Sequence, residues 1–395
     1  MAKQTQDSHT AVISTRGAKR YHDGHPWIFK SDVVTAPAAP AGAVSVVEQS
    51  GRPLGTALWS PQSEISLRFV TKEMGATLSA DWWRERLQAA VARRTGILDA
   101  NTNACRLVHG EGDGLPSLVV DQYDRWLVVQ LLSAGLEAFR AEIVGALAEL
   151  TGVEGILGRN DASVRTREGL TRGVEALIGT VPNTVEVREH GVRYLAAPHT
   201  GQKTGAFLDQ REARVLVGSV ARGRALDVFS YHGSFALHLA KRADTVRAID
   251  SSGAALARVR ENAALNGLTN IEPVEADAFD WIRDEEKAGA TYDTIVLDPP
   301  AFAKNRASIA GAIRGYREIN LRAMKLLAPG GMLYTASCSY HLPTADFLTM
   351  LREAAAHSGR RIIMRALTGQ PADHPEVLTI PETGYLKGAL LEAGD

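Results

Sequence analysis

The sequence is poor in cysteine: two thiols, Cys105 and Cys338, stand among 395 residues in surroundings that do not match each other. That excludes a disulfide framework and a cysteine-ligated zinc site, and it leaves each thiol as a candidate reactive group. Long apolar runs are also missing. No stretch approaches the ~18 uninterrupted apolar residues of a membrane span, and MAKQTQDSHT at the start contains no signal-peptide apolar core. A cytoplasmic protein with no membrane partner is expected. Internal repeats, low-complexity tracts and metal-ligand spacings are absent, so no metal is expected. Net charge is scarce too: 44 basic against 45 acidic residues give −1, which by itself argues against a nucleic-acid partner. Lysine is rare, with 10 Lys to 34 Arg, and Arg is the better residue for bidentate phosphate contacts and base stacking.

What is present divides unevenly. Residues 11–72 hold seven basic and four acidic groups, residues 81–189 twelve and sixteen, and residues 190–395 twenty-four and twenty-three, so the N-terminal segment is the basic one. Apolar residues at 45% and a length of two or three domains, at roughly 150 residues each, supply several cores. Residues 1–75 read as a small β-barrel or sandwich: apolar-polar alternations such as AGAVSVVEQS and ISLRFVT are broken by TAPAAPAG. Residues 76–99 read as a linker helix opening at Ser79, and residues 100–189 as a small α+β domain. From 190 to 395 strand–helix units repeat, predicting a parallel sheet covered on both faces. Seven strands are expected there, at 225–230, 245–250, 271–276, 294–299, 331–339, 361–367 and 385–393, with an antiparallel strand added at the edge. The fold class is therefore α/β with an N-terminal barrel.

In such a sheet ligands bind outside the C-terminal strand ends. The first strand leads into LDVFSYHGSF (226–235), where Asp227 ends the strand and Gly233 opens the helix. Two positions that a dinucleotide fingerprint fills with glycine are bulky here, Phe229 and Tyr231, which disfavours a pyrophosphate and suits a phosphate-free ligand. S-adenosylmethionine fits, with Asp227 near its methionine end. Asp250 ends the second strand, placed for the ribose hydroxyls, and Asp277 ends the third, placed for the adenine amine while Phe279 packs on the ring. The adjacent Ser251 and Ala278 are grouped with them. Each acid alone would be an ordinary helix cap; three at successive strand ends point to a nucleoside-type site.

The fourth strand ends in DPPAFAK (298–304) and the fifth in ASCSYH (336–341). Two prolines make a rigid platform with free carbonyls; Asp298 could bond a ring edge, beside the cofactor, and Phe302 could stack on a base. Neighbouring fourth and fifth strands would bring Cys338 near Asp298. A thiolate there suits cytosine C5 methylation, because C5 becomes nucleophilic only after a thiolate adds to C6, and Asp298 could stabilise the charge developing on the ring. Cys105 is read as a packing residue.

These motifs, with RYHDGHPWIF (20–29), HGEGDGLPSLVVDQY (109–123), GQKTGAFLDQREAR (201–214) and ADHPEVLTIPETGYLKG (372–388), resemble those of the bacterial and archaeal RNA cytosine-C5 methyltransferases that carry an N-terminal PUA domain. The resemblance implies a PUA RNA-binding barrel, a central α+β domain and a seven-stranded Rossmann-like class I methyltransferase domain. It places Asp227, Phe229, Tyr231, Gly233, Asp250, Asp277 and Phe279 on cofactor positions and Cys338 on the nucleophile position. It further implies 5-methylcytidine formation in 23S ribosomal RNA or a large-subunit assembly intermediate. One departure stands out: DPPAF lacks the second cysteine that many RNA cytosine-C5 enzymes use for product release, so another base is needed, and His341 is a candidate. The same DPPAF also resembles the motif of methyltransferases acting on guanine N2 or adenine N6, which need no thiol. A third reading is a non-catalytic RNA-binding assembly factor.

Basic residues expected on RNA are Arg16, Lys19, Arg20, Lys30 and Arg68 in the barrel, and Lys304, Arg306, Arg314 and Arg317 after the platform. Lys203 and Arg211 are expected on cofactor or RNA. Apolar strands such as LVVQLL (127–132) offer an edge for a homodimer.

Overall fold

The computed structural model describes residues 9–302 and 309–394, so Lys304 and Arg306 lie outside the described residues. The chain groups into two compact units: residues 1–187, 196–208 and 372–383 form one, and residues 188–195, 209–371 and 384–395 the other.

In the first unit, β1 (Thr10–Ile13), β2 (Trp27–Phe29), β3 (Val33–Thr35), β4 (Gly42–Glu48), β5 (Pro53–Trp59) and β6 (Ile65–Thr71) make a sheet ordered β2-β6-β5-β4-β1-β3. β1 runs parallel to β4, and the other pairs are antiparallel. Gly55, at φ +147, lies where a Cβ would sit 2.2 Å from the Thr71 carbonyl, so only glycine lets β5 and the end of β6 approach this closely. Helix α1 (Thr15–His22) starts where the Ser14 hydroxyl accepts from the Gly17 amide. Ile13, Ile28, Val46 and Leu67 fill the core.

Helix α2 (Ala80–Ala92) follows, capped by Ser79 as its sequence predicts. A second sheet has the order β11-β10-β9-β8-β7 and comprises β7 (Ala104–His109), β8 (Leu118–Tyr123), β9 (Trp126–Leu131), β10 (Gly155–Asn160) and β11 (Gly173–Gly179), with helices α3 (Ala134–Glu137), α4 (Arg140–Thr151) and α5 (Val164–Arg167). Cys105 is fully buried on β7 among Leu107, Leu127 and Ile143, in keeping with a packing role. The LVVQLL strand does not offer a dimer edge. It is β9, hydrogen-bonded to β8 on one side and β10 on the other, and its near-continuous apolar run reflects that central position.

After the two-stranded sheet of β12 (Val185–Glu189) and β13 (Val192–Ala196), the second unit holds β14 (Arg224–Val228), β15 (Thr245–Asp250), β16 (Ile271–Glu275), β17 (Tyr292–Leu297), β18 (Leu327–Ser337), β19 (Ile362–Thr368) and β20 (Lys387–Ala393). Their order is β16-β15-β14-β17-β18-β20-β19, so strand order reverses at β14, beside β17. Helices α6 (Arg211–Val220), α7 (Ser234–Ala240) and α8 (Gly253–Leu265) bury Val217, Phe235 and Leu256 in one apolar layer. Helices α9 (Ala278–Lys287), α10 (Ile309–Leu326) and α11 (Thr344–Ser358) bury Ile282, Tyr316 and Phe347 in another. All seven expected strands form. The antiparallel strand, however, is not at the edge: β20 inserts between β18 and β19, antiparallel to both. The burial patterns give the reason, since β20 is buried at nearly every position whereas β19 is buried at none.

Candidate active site

The turn after β14 is built from residues that backbone sterics disfavour there. Phe229 at φ +66, Tyr231 at φ +49 and Gly233 at φ +83 all take the left-handed region, so two bulky side chains occupy a path that glycine follows without strain. Side chains pin it. Asp227 Oδ2 accepts from the Ala236 amide at 2.9 Å, Asp250 Oδ2 from the Tyr231 amide at 2.9 Å, and Asn262 donates to the His232 carbonyl at 2.8 Å. Glycine at 233 is also required by space, because a Cβ would come 3.0 Å from Val259 Cγ2. Asp250 Oδ1 accepts from the Ser252 amide, and Asp277 Oδ1 caps α9 through the Phe279 and Asp280 amides. Asp227, Asp250 and Asp277 thus hold local backbone while lining successive strand ends, with Ser251 and Ala278 one residue further on.

Burial pushes the Asp227 carboxyl up to about 8, and the neighbouring carboxyls of Asp298 and Asp250 push it the same way. Three acids converge on a space where one of them cannot ionise easily. The Ser230 hydroxyl is buried in the same turn without a hydrogen-bond partner among the described residues. Burial drives the His232 ring down to about 3, so it stays neutral, stacked on Tyr194 with centroids 5.1 Å apart.

On the other side of the switch point, β17 and β18 are parallel neighbours with Leu297 opposite Thr335. Asp298 follows the first and Cys338 follows the end of the second, as the strand order in the sequence led one to expect. Asp298 Oδ1 accepts from Gln210 Nε2 at 2.8 Å, and the Tyr334 hydroxyl donates to Gln210 Oε1 at 3.3 Å. Cys338 is half-buried. Ser337 before it donates to the Tyr316 hydroxyl at 3.0 Å, and Ser339 after it bonds the same hydroxyl at 3.1 Å. Burial raises the Tyr316 pKa, with a smaller push from Cys338, so the phenol keeps its proton. Lys387, 5% exposed, donates to the carbonyls of Ser339 and Leu342, both at 2.7 Å. Phe302 packs 4.5 Å from the Tyr316 ring and 5.9 Å from Phe279. His341 lies in the same loop, its ring 5.2 Å from that of Tyr340.

The basic residues divide. Arg16 and Lys19 are 67% and 74% exposed, and with Arg20, Asp23, His25 and Thr379 they line an open cavity of about 350 Å³. Acids already engage all three: Asp32 bridges Arg16 and Arg20, and Asp23 bridges Lys19. Lys30 is exposed. Arg68 is not on an RNA-facing surface; it is 4% exposed and paired at 2.9 Å with the buried Glu168. Arg211 is likewise buried, with Nε 3.1 Å from Glu212, so it offers RNA no surface. Lys203 is exposed and lies over the Phe207 ring in the first unit. Arg314 is exposed on α10, and Arg317 pairs with Glu353. Sequence reasoning missed Gln210, Tyr316 and Lys387. Gln210 and Lys387 stand inside two of the quoted motifs, whereas Tyr316 has no motif around it.

The second unit's donor set fits S-adenosylmethionine. A ligand with an ammonium and a sulfonium relieves the crowding of Asp227, Asp250 and Asp298; the unpartnered Ser230 hydroxyl awaits an acceptor or donor; and Asp277 keeps Oδ2 clear of its capping bonds. Comparison with known proteins agrees. Residues 105–389 match the S-adenosylmethionine-dependent methyltransferase family and residues 12–72 the PUA-like domain. The chain is 39% identical over 373 residues to ribosomal RNA large subunit methyltransferase I of Erwinia tasmaniensis, covering 92% of this chain and 94% of that protein. It is 38% identical over 372 residues to the protein of that name from Shewanella amazonensis, with the same coverage. Its fold is shared with a putative methyltransferase from Streptococcus mutans (TM-score 0.82, 20% identity, 97% and 99% of the two chains). It is shared equally with a putative methyltransferase solved with SAH (TM-score 0.83, 21% identity, 97% and 99%). With a PUA-like domain ahead of a sheet whose successive strand ends carry Asp227, Asp250 and Asp277, the chain belongs to the S-adenosylmethionine-dependent methyltransferases.

Proposed function

We propose that the protein methylates carbon 5 of a cytosine in 23S ribosomal RNA, in the cytoplasm, with Cys338 as the nucleophile and Asp298 as the acid that contacts the base. The relatives named ribosomal RNA large subunit methyltransferase I support the substrate class. The observation that carries the mechanism is the half-buried Cys338 one strand over from Asp298, in a loop held on both sides of the thiol. S-adenosylmethionine, when bound, supplies an electrophilic methyl group. Asp250 would hold the ribose hydroxyls with the lone pairs its amide bonds leave, Asp277 beside Phe279 would hold the adenine amine, and Asp227 would hold the ammonium. The Cys338 thiolate would add to cytosine C6 and make C5 nucleophilic toward the methyl group, with S-adenosylhomocysteine leaving; His341 in the same loop, the candidate base, would then take the C5 proton, which restores the double bond and expels the thiolate. Asp298, held by Gln210, meets the base edge where charge develops, donating to N3 when protonated or accepting from the 4-amino group. Phe302 stacks on the extruded base, with Lys304, Arg306, Arg314 and Arg317 as phosphate contacts and Arg16, Lys19, Arg20 and Lys203 as further RNA contacts.

The test is Cys338→Ala. Methylation, read by mass spectrometry of nucleosides from 23S RNA incubated with the enzyme and cofactor, should fall by about a thousandfold or more, with cofactor affinity by calorimetry unchanged. Full activity in this variant overturns the covalent route and favours methylation of a base amino group, which DPPAF also suits and which needs no thiol.

A further inference from the structure

Lys387 stands inside the ADHPEVLTIPETGYLKG motif with no role assigned to it so far, yet it is a buried cation beneath the loop that carries Cys338. Two independent observations bracket the thiol. Across the β18–β20 ladder Lys387 stands opposite Ser337, the residue before Cys338. Its ammonium donates at 2.7 Å to the carbonyl of Ser339, the residue after it, and at 2.7 Å to Leu342 at the end of the same turn, which the Leu342 amide closes onto the Ser339 carbonyl. A lysine buried to 5% exposure costs desolvation, and the side chain also loses its rotamer freedom. The bonds to the Ser339 and Leu342 carbonyls recover part of that cost, and an anion developing beside them recovers more.

We propose that Lys387 is a positioning residue for the nucleophile: it fixes the loop of residues 337–342 and its charge favours the thiolate form of Cys338. The proposal rests on the reading of Cys338 as nucleophile only for its purpose, not for its electrostatics. Among the described residues, the other ionisable groups around this loop include Asp298 after β17, Tyr316 on α10, Tyr334 on β18, and Tyr340 and His341 in the loop itself. Burial raises the Tyr316 and Tyr334 phenols, so they remain neutral, and an ionised Asp298 opposes the thiolate. Lys387 brings a positive charge that offsets it. Tyr316 contributes geometry, since its hydroxyl ties Ser337 to Ser339 and so fixes the backbone on either side of Cys338.

The experiment measures the thiol directly. In a Cys105→Ala background the rate of Cys338 alkylation by iodoacetamide is followed against pH on the full chain. The parent protein should titrate below the ordinary thiol value of about 8.5. Lys387→Gln keeps donors for the carbonyls but removes the charge; its profile should move up by about one pH unit, roughly a tenfold loss of thiolate at neutral pH. Lys387→Arg should restore the parent profile. A parent thiol already titrating at about 8.5 overturns the proposal without any variant, which covers the case in which Lys387→Gln fails to fold. A folded Lys387→Gln protein with normal cofactor affinity and an unshifted profile also overturns it. If Cys338→Ala keeps full methylation, the nucleophile reading fails separately, because the alkylation profile does not depend on turnover.

Discussion

The two halves of the methyltransferase sheet hold their functional groups by different means. On the side proposed for the cofactor, β14 to β16, each acid is fixed by backbone amides: Asp227 by one nine residues on, Asp277 by one two residues on, and Asp250 by one two residues on and another nineteen residues back. On the side proposed for the chemistry, β17, β18 and β20, the fixing groups are side chains brought from far away. Gln210 reaches Asp298 across 88 residues, Tyr334 reaches Gln210 across 124, and Lys387 reaches Ser339 across 48. Backbone amides suffice where a ligand has only to be held by its non-reacting parts. Reacting atoms need angles that a strand–turn–helix unit does not supply alone, and the fold recruits side chains from separate elements to set them.

If that distinction is right, cutting a long-range support should damage turnover and leave cofactor binding intact. Asp298→Asn should lower kcat by roughly a hundredfold to a thousandfold, the usual cost of removing a group aimed at developing charge. Gln210→Leu removes the bond that orients the Asp298 carboxyl without touching substrate, and kcat should fall by about tenfold with KM for RNA and cofactor affinity near their original values. A Gln210→Leu enzyme that loses cofactor affinity in place of kcat would erase the difference between the two sides.

The same contrast explains what could be read from the sequence. The placement of Asp227, Asp250, Asp277 and Gly233 was legible because each lies within a few residues of a strand end. The placement of Asp298 and Cys338 was legible because strand order puts their strands side by side. Gln210, Tyr316 and Lys387 were not, since a side chain's partner 21 to 124 residues away leaves no local pattern. Arg68 was misread for the same reason: its charge looked like surface until the fold supplied Glu168, 100 residues distant, as a buried partner. The antiparallel strand was recognised, but its place inside the sheet depends on pairing that alternation alone does not encode.

A gentler perturbation of the cofactor side is pH. Asp227 titrates at about 8 in the folded protein without cofactor, far above its value in an unfolded chain, so the folded state holds a proton that the unfolded state releases. Stability from this group is complete below the unfolded value and is lost as pH rises through about 8; the melting temperature of the cofactor-free protein should therefore fall over that window. A bound cation favours the carboxylate, so S-adenosylmethionine should bind with proton release at pH 7. Its affinity should climb with pH by up to about tenfold per unit until it levels above the Asp227 titration. Calorimetry at pH 7 in buffers of differing ionisation enthalpy measures the release, and Asp227→Asn should abolish it; equal release in the variant would assign the proton elsewhere.

The smallest effect tests whether the cofactor turn stores strain. Tyr231 sits at φ +49, a conformation that costs a residue with a Cβ about 1–2 kcal/mol, while its side chain also meets the His232 ring at 4.6 Å. Replacing it by glycine alone would mix lost ring contact with relieved strain. Tyr231→Gly and Tyr231→Ala lose the same contact and differ mainly at the backbone, so their difference isolates the strain. At an ordinary strand or helix position alanine is the more stable of the two by about 0.5–1 kcal/mol. Here the order should invert, with glycine ahead by about 1 kcal/mol in chemical denaturation of the cofactor-free protein. Alanine ahead of glycine would mean that the turn relaxes once the tyrosine ring is gone, and that the left-handed path is imposed by the ring and not by the bond from the Tyr231 amide to Asp250.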